Sequence, residues 1–179
     1  AAQRGSTEVS QLNVTAASII MTTMYAARLA RFELLRAVGS LASYLTRWTD
    51  VEDRKLQRLM SYLHCTGYHR QVGFVGDSPE SLELHLFTDA DVAGDKADYK
   101  STSGTFLCLV GPHTFFPLTA SSKKQTAVSH STVEVEIVAA ALGVRESGCP
   151  ALDLWGTVLG RPVAMTLFED NQATAKIII

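Results

Sequence analysis

An α/β fold built on a mixed sheet follows from three features of the 179-residue sequence. Three short apolar runs, Glu83–Thr88, Thr105–Val110 and His113–Leu118, follow one another without an intervening helical pattern. A helical run from about Thr132 to Ser147 comes next, and a fourth apolar run, Val163–Phe168, follows it. Strands joined directly pair antiparallel, whereas a strand reached over a helical crossover lies parallel to an earlier one. The expectation is therefore an antiparallel trio, a parallel fourth strand, and a helical segment ahead of them.

That helical segment occupies residues 1–76. Residues 9–30 carry Leu12, Ala16, Ile19, Ile20, Met24 and Ala27 on one stripe, and residues 31–47 repeat Leu34, Val38, Leu41 and Leu45 at helical spacing. Thr49 and Glu52 have the spacing of a capping box and open a third helix, with Leu56, Leu59, Met60 and Leu63 on its buried face. Its outer face carries Arg54, Lys55 and Arg58, read as a solvated surface ahead of a phosphate contact. Gln71–Val75 reads as a short strand, and Gly76-Asp77-Ser78-Pro79 as a linker. The boundary falls there, and residues 77–179 form the second domain. Pro117 puts the third strand at an edge or a bulge. Gly148-Cys149-Pro150 is expected to break the crossover helix before a shorter one, Ala151–Leu159.

Composition narrows the class. A chain that is 46% hydrophobic and 19% charged is globular. No stretch is apolar enough for a membrane span, since polar residues interrupt 9–27. Cys65, Cys108 and Cys149 are scattered, with no CxxC, which points to a reducing compartment without disulfides or zinc. The net charge of −2 hides an asymmetry. Residues 1–70 carry nine basic and five acidic side chains, or +4; residues 71–179 carry seven and thirteen, or −6. The second part would repel phosphates unless cations sit among its carboxylates. An absent initiator methionine and the apolar ending Ile177-Ile178-Ile179 suggest a piece of a longer chain.

The acids that matter lie at strand ends. The first strand runs into Asp89, Asp91, Asp95 and Asp98, and the fourth into Glu169-Asp170-Asn171. If these strands are neighbours, about 4.8 Å apart, Asp89 and Asp170 can reach one cation. A third carboxylate comes from Ser131-Thr132-Val133-Glu134-Val135-Glu136 at the crossover helix start. Periodicity puts Val133, Ile137, Ala140, Ala141 and Val144 in the core, with Glu134 and Glu136 flanking equally. Capping separates the two glutamates. Ser131 and Glu134 have capping-box spacing, which leaves Glu136 free. Asp89, Glu136 and Asp170 then form an oxygen cage suited to Mg²⁺. Asp91, Asp95, Asp98, Asp153 and Glu169 read as surface acids, and His130 as a local hydrogen-bond partner.

Three blocks resemble the ribonuclease H domain of Ty1/copia-type retrotransposon polyproteins. They are TDADVAGDKADYKSTSG, SSKKQTAVSHSTVEVEIVAA and FEDNQA, in matching order over about residues 83–176. LLRAVGSLASYLTRWTDVEDRKLQRLMSYLHCT resembles the region joining reverse transcriptase to that domain. The resemblance implies a ribonuclease H-like fold and hydrolysis of the RNA strand of an RNA–DNA hybrid. It implies Asp89, Glu136 and Asp170 as catalytic metal ligands for two Mg²⁺ ions about 4 Å apart, with Mn²⁺ as a substitute. Asp89 is the expected bridging ligand. The implied partners are the hybrid and the reverse transcriptase part of the same polyprotein, and the implied location is intracellular: the cytoplasm, a retroelement particle or the nucleus. Gln172 is expected to read a 2′-hydroxyl or simply to start a helix, and Lys123 and Lys124 to contact phosphates or water. Val92 and Ile137 replace an aromatic at each of two positions. The family's fourth aspartate lies beyond the Asn-Gln block and outside these residues, so the domain is expected to be C-terminally truncated and weak or inactive alone. Integrase-type strand transfer uses a similar acid set, but the consecutive strands and the Asp-Asn-Gln block fit ribonuclease H better. The alternative outside catalysis is an inactive retroelement remnant or a nucleic-acid-binding module.

Overall fold

The computed structural model describes residues 10, 12–92 and 99–178, in two compact units, Ala1–Arg70 and Gln71–Ile179. The first unit is helical. Helix α1 (Asn13–Leu29) buries Ala16, Ile20, Thr23 and Ala27, and Thr23 satisfies its hydroxyl on the Ile19 carbonyl at 2.8 Å. The second helix is shorter than its periodicity suggests. Helix α2 (Leu35–Ala42) sits between two single 3₁₀ turns, Phe32–Leu34 and Leu45–Arg47. Helix α3 (Asp50–Cys65) opens on the expected capping box, with Thr49 and Glu52 bonded reciprocally. It buries Leu56 and Leu59 but leaves Met60 exposed. The place at its buried edge goes to Asp53, which accepts from Trp48 Nε1 and Ser10 Oγ, each at 2.7 Å. Arg54 and Lys55 pair with Asp50 and Glu52 of their own helix.

The second unit carries a sheet of four strands among the described residues, in the order β3-β2-β1-β4. Strands β1 (Glu83–Asp91), β2 (Thr102–Gly111) and β3 (Thr114–Lys124) are antiparallel, and β4 (Met165–Phe168) is parallel to β1. The fold is thus α/β with a mixed sheet. Leu84, Leu86, Leu107 and Leu109 alternate with outward residues along their strands, and they meet Ala151, Trp155 and Met165 in one core. Pro117 stands at a register irregularity on the edge strand β3. Gln71–Val75 is not a strand. Only Phe74 forms a bridge, with Phe115.

Two differences from the sequence reading concern the site. The first is that the strands run further into the polar stretch than expected. Asp89 lies inside β1, paired with Gly104, and Ser101, Thr102 and Ser103 are buried at the start of β2. Short hydroxylated residues fit a covered strand when partners exist, and Gln125 provides one by donating to Ser103 Oγ and to the Val135 carbonyl, each at 3.0 Å. The second is that no break occurs at Gly148-Cys149-Pro150. Helix α4 (Thr132–Gly143) passes through a π turn (Val144–Gly148) into α5 (Cys149–Leu159). The Cys149 N–H bonds to the Val144 carbonyl, five residues back. That wider turn accommodates a proline that has no N–H to give and would collide with an α-helical carbonyl. Gly160, at φ 65°, ends α5 in the left-handed region.

The rotation of α4 also differs. Its buried residues are Val135, Glu136, Ala139, Ala140 and Gly143, and Ala141 is exposed. The helix is apolar almost all round, so its period does not fix which stripe faces the sheet. A close approach does. A Cβ on Gly143 would lie 2.8 Å from Thr88 Cγ2 and 3.2 Å from Thr105 Cγ2, so α4 rests directly on β1 and β2.

Candidate metal centre

Three elements bring three carboxylates to one edge of the sheet. Asp89 extends from β1, and Asp170 follows β4 by two residues. The parallel register, Phe87 opposite Phe168, places them side by side. Glu136 comes from the second turn of α4. One carboxylate oxygen from each lies within 4.8 Å of the other two. Asp89 and Asp170 are exposed and Glu136 is buried.

The electrostatics of the cluster centre on Glu136. The side chain is 6% exposed, and its Oε2 has no hydrogen-bond partner. Burial, and then the charges of Glu169, Asp89 and Asp170, push its pKa up to about 7, against a pull from the Ala90 N–H. A buried acceptor without a donor, next to two more carboxylates, is costly unless a proton or a cation sits among them. All the donors are hard oxygens, so the set suits Mg²⁺ or a similar divalent ion.

Glu134 has the structural part that its spacing suggests. Ser131 Oγ accepts from the Glu134 N–H at 3.1 Å, and the Glu134 carboxylate accepts from the His130 N–H at 2.8 Å. Gln172 is exposed at the start of helix α6 (Gln172–Ile178), whose cap is Asn171, accepting from Ala173 and Thr174 N–H at 3.0 Å. Lys123 and Lys124 end β3. Lys123 pairs with Glu146. The two lysines border a cavity of about 380 Å³ that also touches Gln125 and Arg145. Asp91 and Asp153 are exposed, whereas Asp95 and Asp98 lie outside the described residues.

Glu169 is not the surface acid that its sequence suggests. It is half-buried, and Thr88 Oγ1 donates to its Oε2 at 3.2 Å. Its Oε1 accepts from the Asn171 N–H at 3.1 Å. The signal for this was the parallel pairing itself, since a residue beside Phe168 faces the β1 end that holds Thr88. Without a known register, it reads as one more acid in an acidic stretch.

The second unit is thus an α/β domain with an acidic cluster where its central strands end. No family model matches the chain, and no solved structure matches it. Curated relatives do. The chain is 39% and 37% identical, over 106 residues, to the retrovirus-related Pol polyproteins from transposons RE2 and RE1 of Arabidopsis thaliana. That stretch is 59% of the chain and 7% of each polyprotein, so the chain spans a small part of their length. It is also 30% identical over 149 residues to the secreted RxLR effector protein 161 of Plasmopara viticola, covering 83% of the chain and 96% of that protein. The chain belongs to the family of this Plasmopara protein and is related to a region of retroelement Pol polyproteins. Among the described residues, no helix is long and apolar enough to cross a membrane.

Proposed function

We propose that the second unit is a ribonuclease H-like domain of a retroelement polyprotein, hydrolysing the RNA strand of RNA–DNA hybrids with Mg²⁺. The observation that carries this reading is the convergence of Asp89, Glu136 and Asp170 at the ends of parallel neighbours, with a buried oxygen of Glu136 left without a donor. Similarity to Pol polyproteins supports it, as do the three blocks that resemble ribonuclease H. Asp89, Glu136 and Asp170 would hold the cations, with Mn²⁺ as a substitute. The chemistry that divalent ions held there would supply is activation of a water and stabilisation of a leaving 3′ oxygen. Asp89, in a paired strand, fixes the cluster's position, and Glu136 closes it from the helix side. Gln172, exposed two residues after Asp170, would read a 2′-hydroxyl. Lys123 and Lys124 offer charge to a phosphate backbone. The domain works inside the cell beside the reverse transcriptase part of its polyprotein.

A second reading rests on the match to 96% of a Plasmopara protein named as a secreted effector. On that reading the acids are a remnant, and the chain is an interaction or nucleic-acid-binding module. The deciding experiment incubates a hybrid carrying a labelled RNA strand with the chain and with its Asp89→Asn variant, in Mg²⁺ and in EDTA. Slow Mg²⁺-dependent cleavage that disappears in the variant supports the enzyme. No cleavage at saturating Mg²⁺ supports the second reading, and equal cleavage by the variant overturns the part given to Asp89.

A further inference from the structure

We propose that Glu169 is a fourth carboxylate of the same cation site, acting through a water in the outer sphere of a bound cation. This inference rests on Asp89, Glu136 and Asp170 being the cation ligands.

The placement of Glu169 motivates it. Glu169 and Asp170 are consecutive and directly follow β4. Asp170 joins Asp89. Glu169 turns to the α4 side, where the hydroxyl of Thr88, the residue before Asp89, holds it at 3.2 Å. Thr88 is itself buried, at 5% exposure, under Gly143 of α4. The nearly buried Glu136 has an Oε2 without a partner, which marks the space among Asp89, Glu136 and Asp170 as one that lacks a donor.

Geometry makes the contact indirect. Glu169 is not in the trio whose oxygens lie within 4.8 Å of one another. Its oxygens each take one protein hydrogen bond, from Thr88 and from the Asn171 N–H. A carboxylate oxygen has two acceptor positions, so each keeps one for a water. The charge balance then changes. Three ionised carboxylates offset one divalent ion and half of a second. Four offset two. Glu169 supplies that fourth charge.

The competing account is that Glu169 only helps to start α6 by accepting from Asn171. Glu169→Gln separates the two, because the amide oxygen keeps an acceptor and loses the charge. Mn²⁺ binding to the whole chain, followed by electron paramagnetic resonance and calorimetry at pH 8, is the readout. Glu169→Gln should weaken Mn²⁺ about tenfold, chiefly in the second ion bound, as loss of an outer-shell partner does. Thr88→Val should cause a smaller loss in the same ion, with all acids intact. Asp153→Asn, an exposed acid of α5, should leave binding unchanged. Circular dichroism confirms that each variant is folded. Unchanged binding in folded Glu169→Gln, with normal binding in the parent chain, overturns the role of Glu169 and leaves the trio standing. An equal loss in Asp153→Asn shows a net-charge effect and also overturns it. Failure of the parent chain to bind Mn²⁺ removes the cation site itself.

Discussion

Glu134 and Glu136 are two residues apart and have opposite parts. Glu134 is exposed, tied to the His130 N–H and capped through Ser131. Glu136 is buried with an unpartnered oxygen. Glu134→Gln should cost about 1 kcal/mol or less, since it weakens a cap without removing it. Glu136→Gln keeps the volume and deletes a buried charge, so the cation-free domain should become more stable at pH 8 while losing cation affinity. Urea denaturation of both variants, with and without Mg²⁺, checks this. A Glu136→Gln protein that is less stable at pH 8 and still stabilised by Mg²⁺ would show that the wrong glutamate faces the site. Asp89→Asn should remove most divalent binding in calorimetry, because it strikes the ligand on the central strand. Equal affinity in that variant would rule out the trio.

At the level of elements, the position of Glu136 depends on how closely α4 rests on the sheet. Gly143→Val places carbon where Thr88 Cγ2 already lies 2.8 Å from a Cβ. The helix must lift or roll, at a cost of about 1–3 kcal/mol. Cation affinity should fall with it, although no ligand changes. Thermal melts together with Mn²⁺ titration test the link, and a destabilised variant with full affinity would break it. Much of this architecture was legible beforehand. Alternating leucines reveal β1 and β2, and the crossover forces β4 to be parallel. The strand-end acids and the caps at Ser131 and Thr49 also follow from spacing. The rotation of α4 did not, because an almost uniformly apolar helix has no preferred stripe. The π turn did not, because proline normally ends a helix. Glu169 did not, because its part depends on a register that only tertiary pairing sets.

Over the whole molecule, the cluster should give stability an unusual dependence on pH. Glu136 has an unfolded pKa near 4.5 and a folded one near 7. Below pH 4.5 it is protonated in both states, and its contribution is complete. Between the two values only the unfolded chain releases the proton, so stability falls as pH rises, by up to roughly 3 kcal/mol at about 1.4 kcal/mol per pH unit. Glu52 behaves in the opposite way. Burial alone would raise its pKa, but bonds from Thr49 and Lys55 outweigh that and lower it. Its contribution is present above its unfolded value and is lost in acid. Cation-free protein should therefore be most stable in mildly acid solution, near pH 5. Saturating Mg²⁺ should remove the decline toward pH 8. Melting temperatures at pH 4, 5, 7 and 8.5 with and without Mg²⁺ are the measurement, and a cation-free optimum at pH 7 or above would contradict it.

Because β1 is parallel to β4, residues 89, 136 and 170 meet only after the whole crossover has closed. Local turns can form early, but that long-range docking pays its loop-closure entropy before any carboxylates converge. A cation therefore has nothing to grip in a half-formed domain. Contacts absent from the transition state slow unfolding and leave folding almost untouched. Stopped-flow traces should show Mg²⁺ lowering only the unfolding arm of the chevron. Bound metal would then act as a latch on a finished fold, setting how long the domain survives rather than how fast it is made.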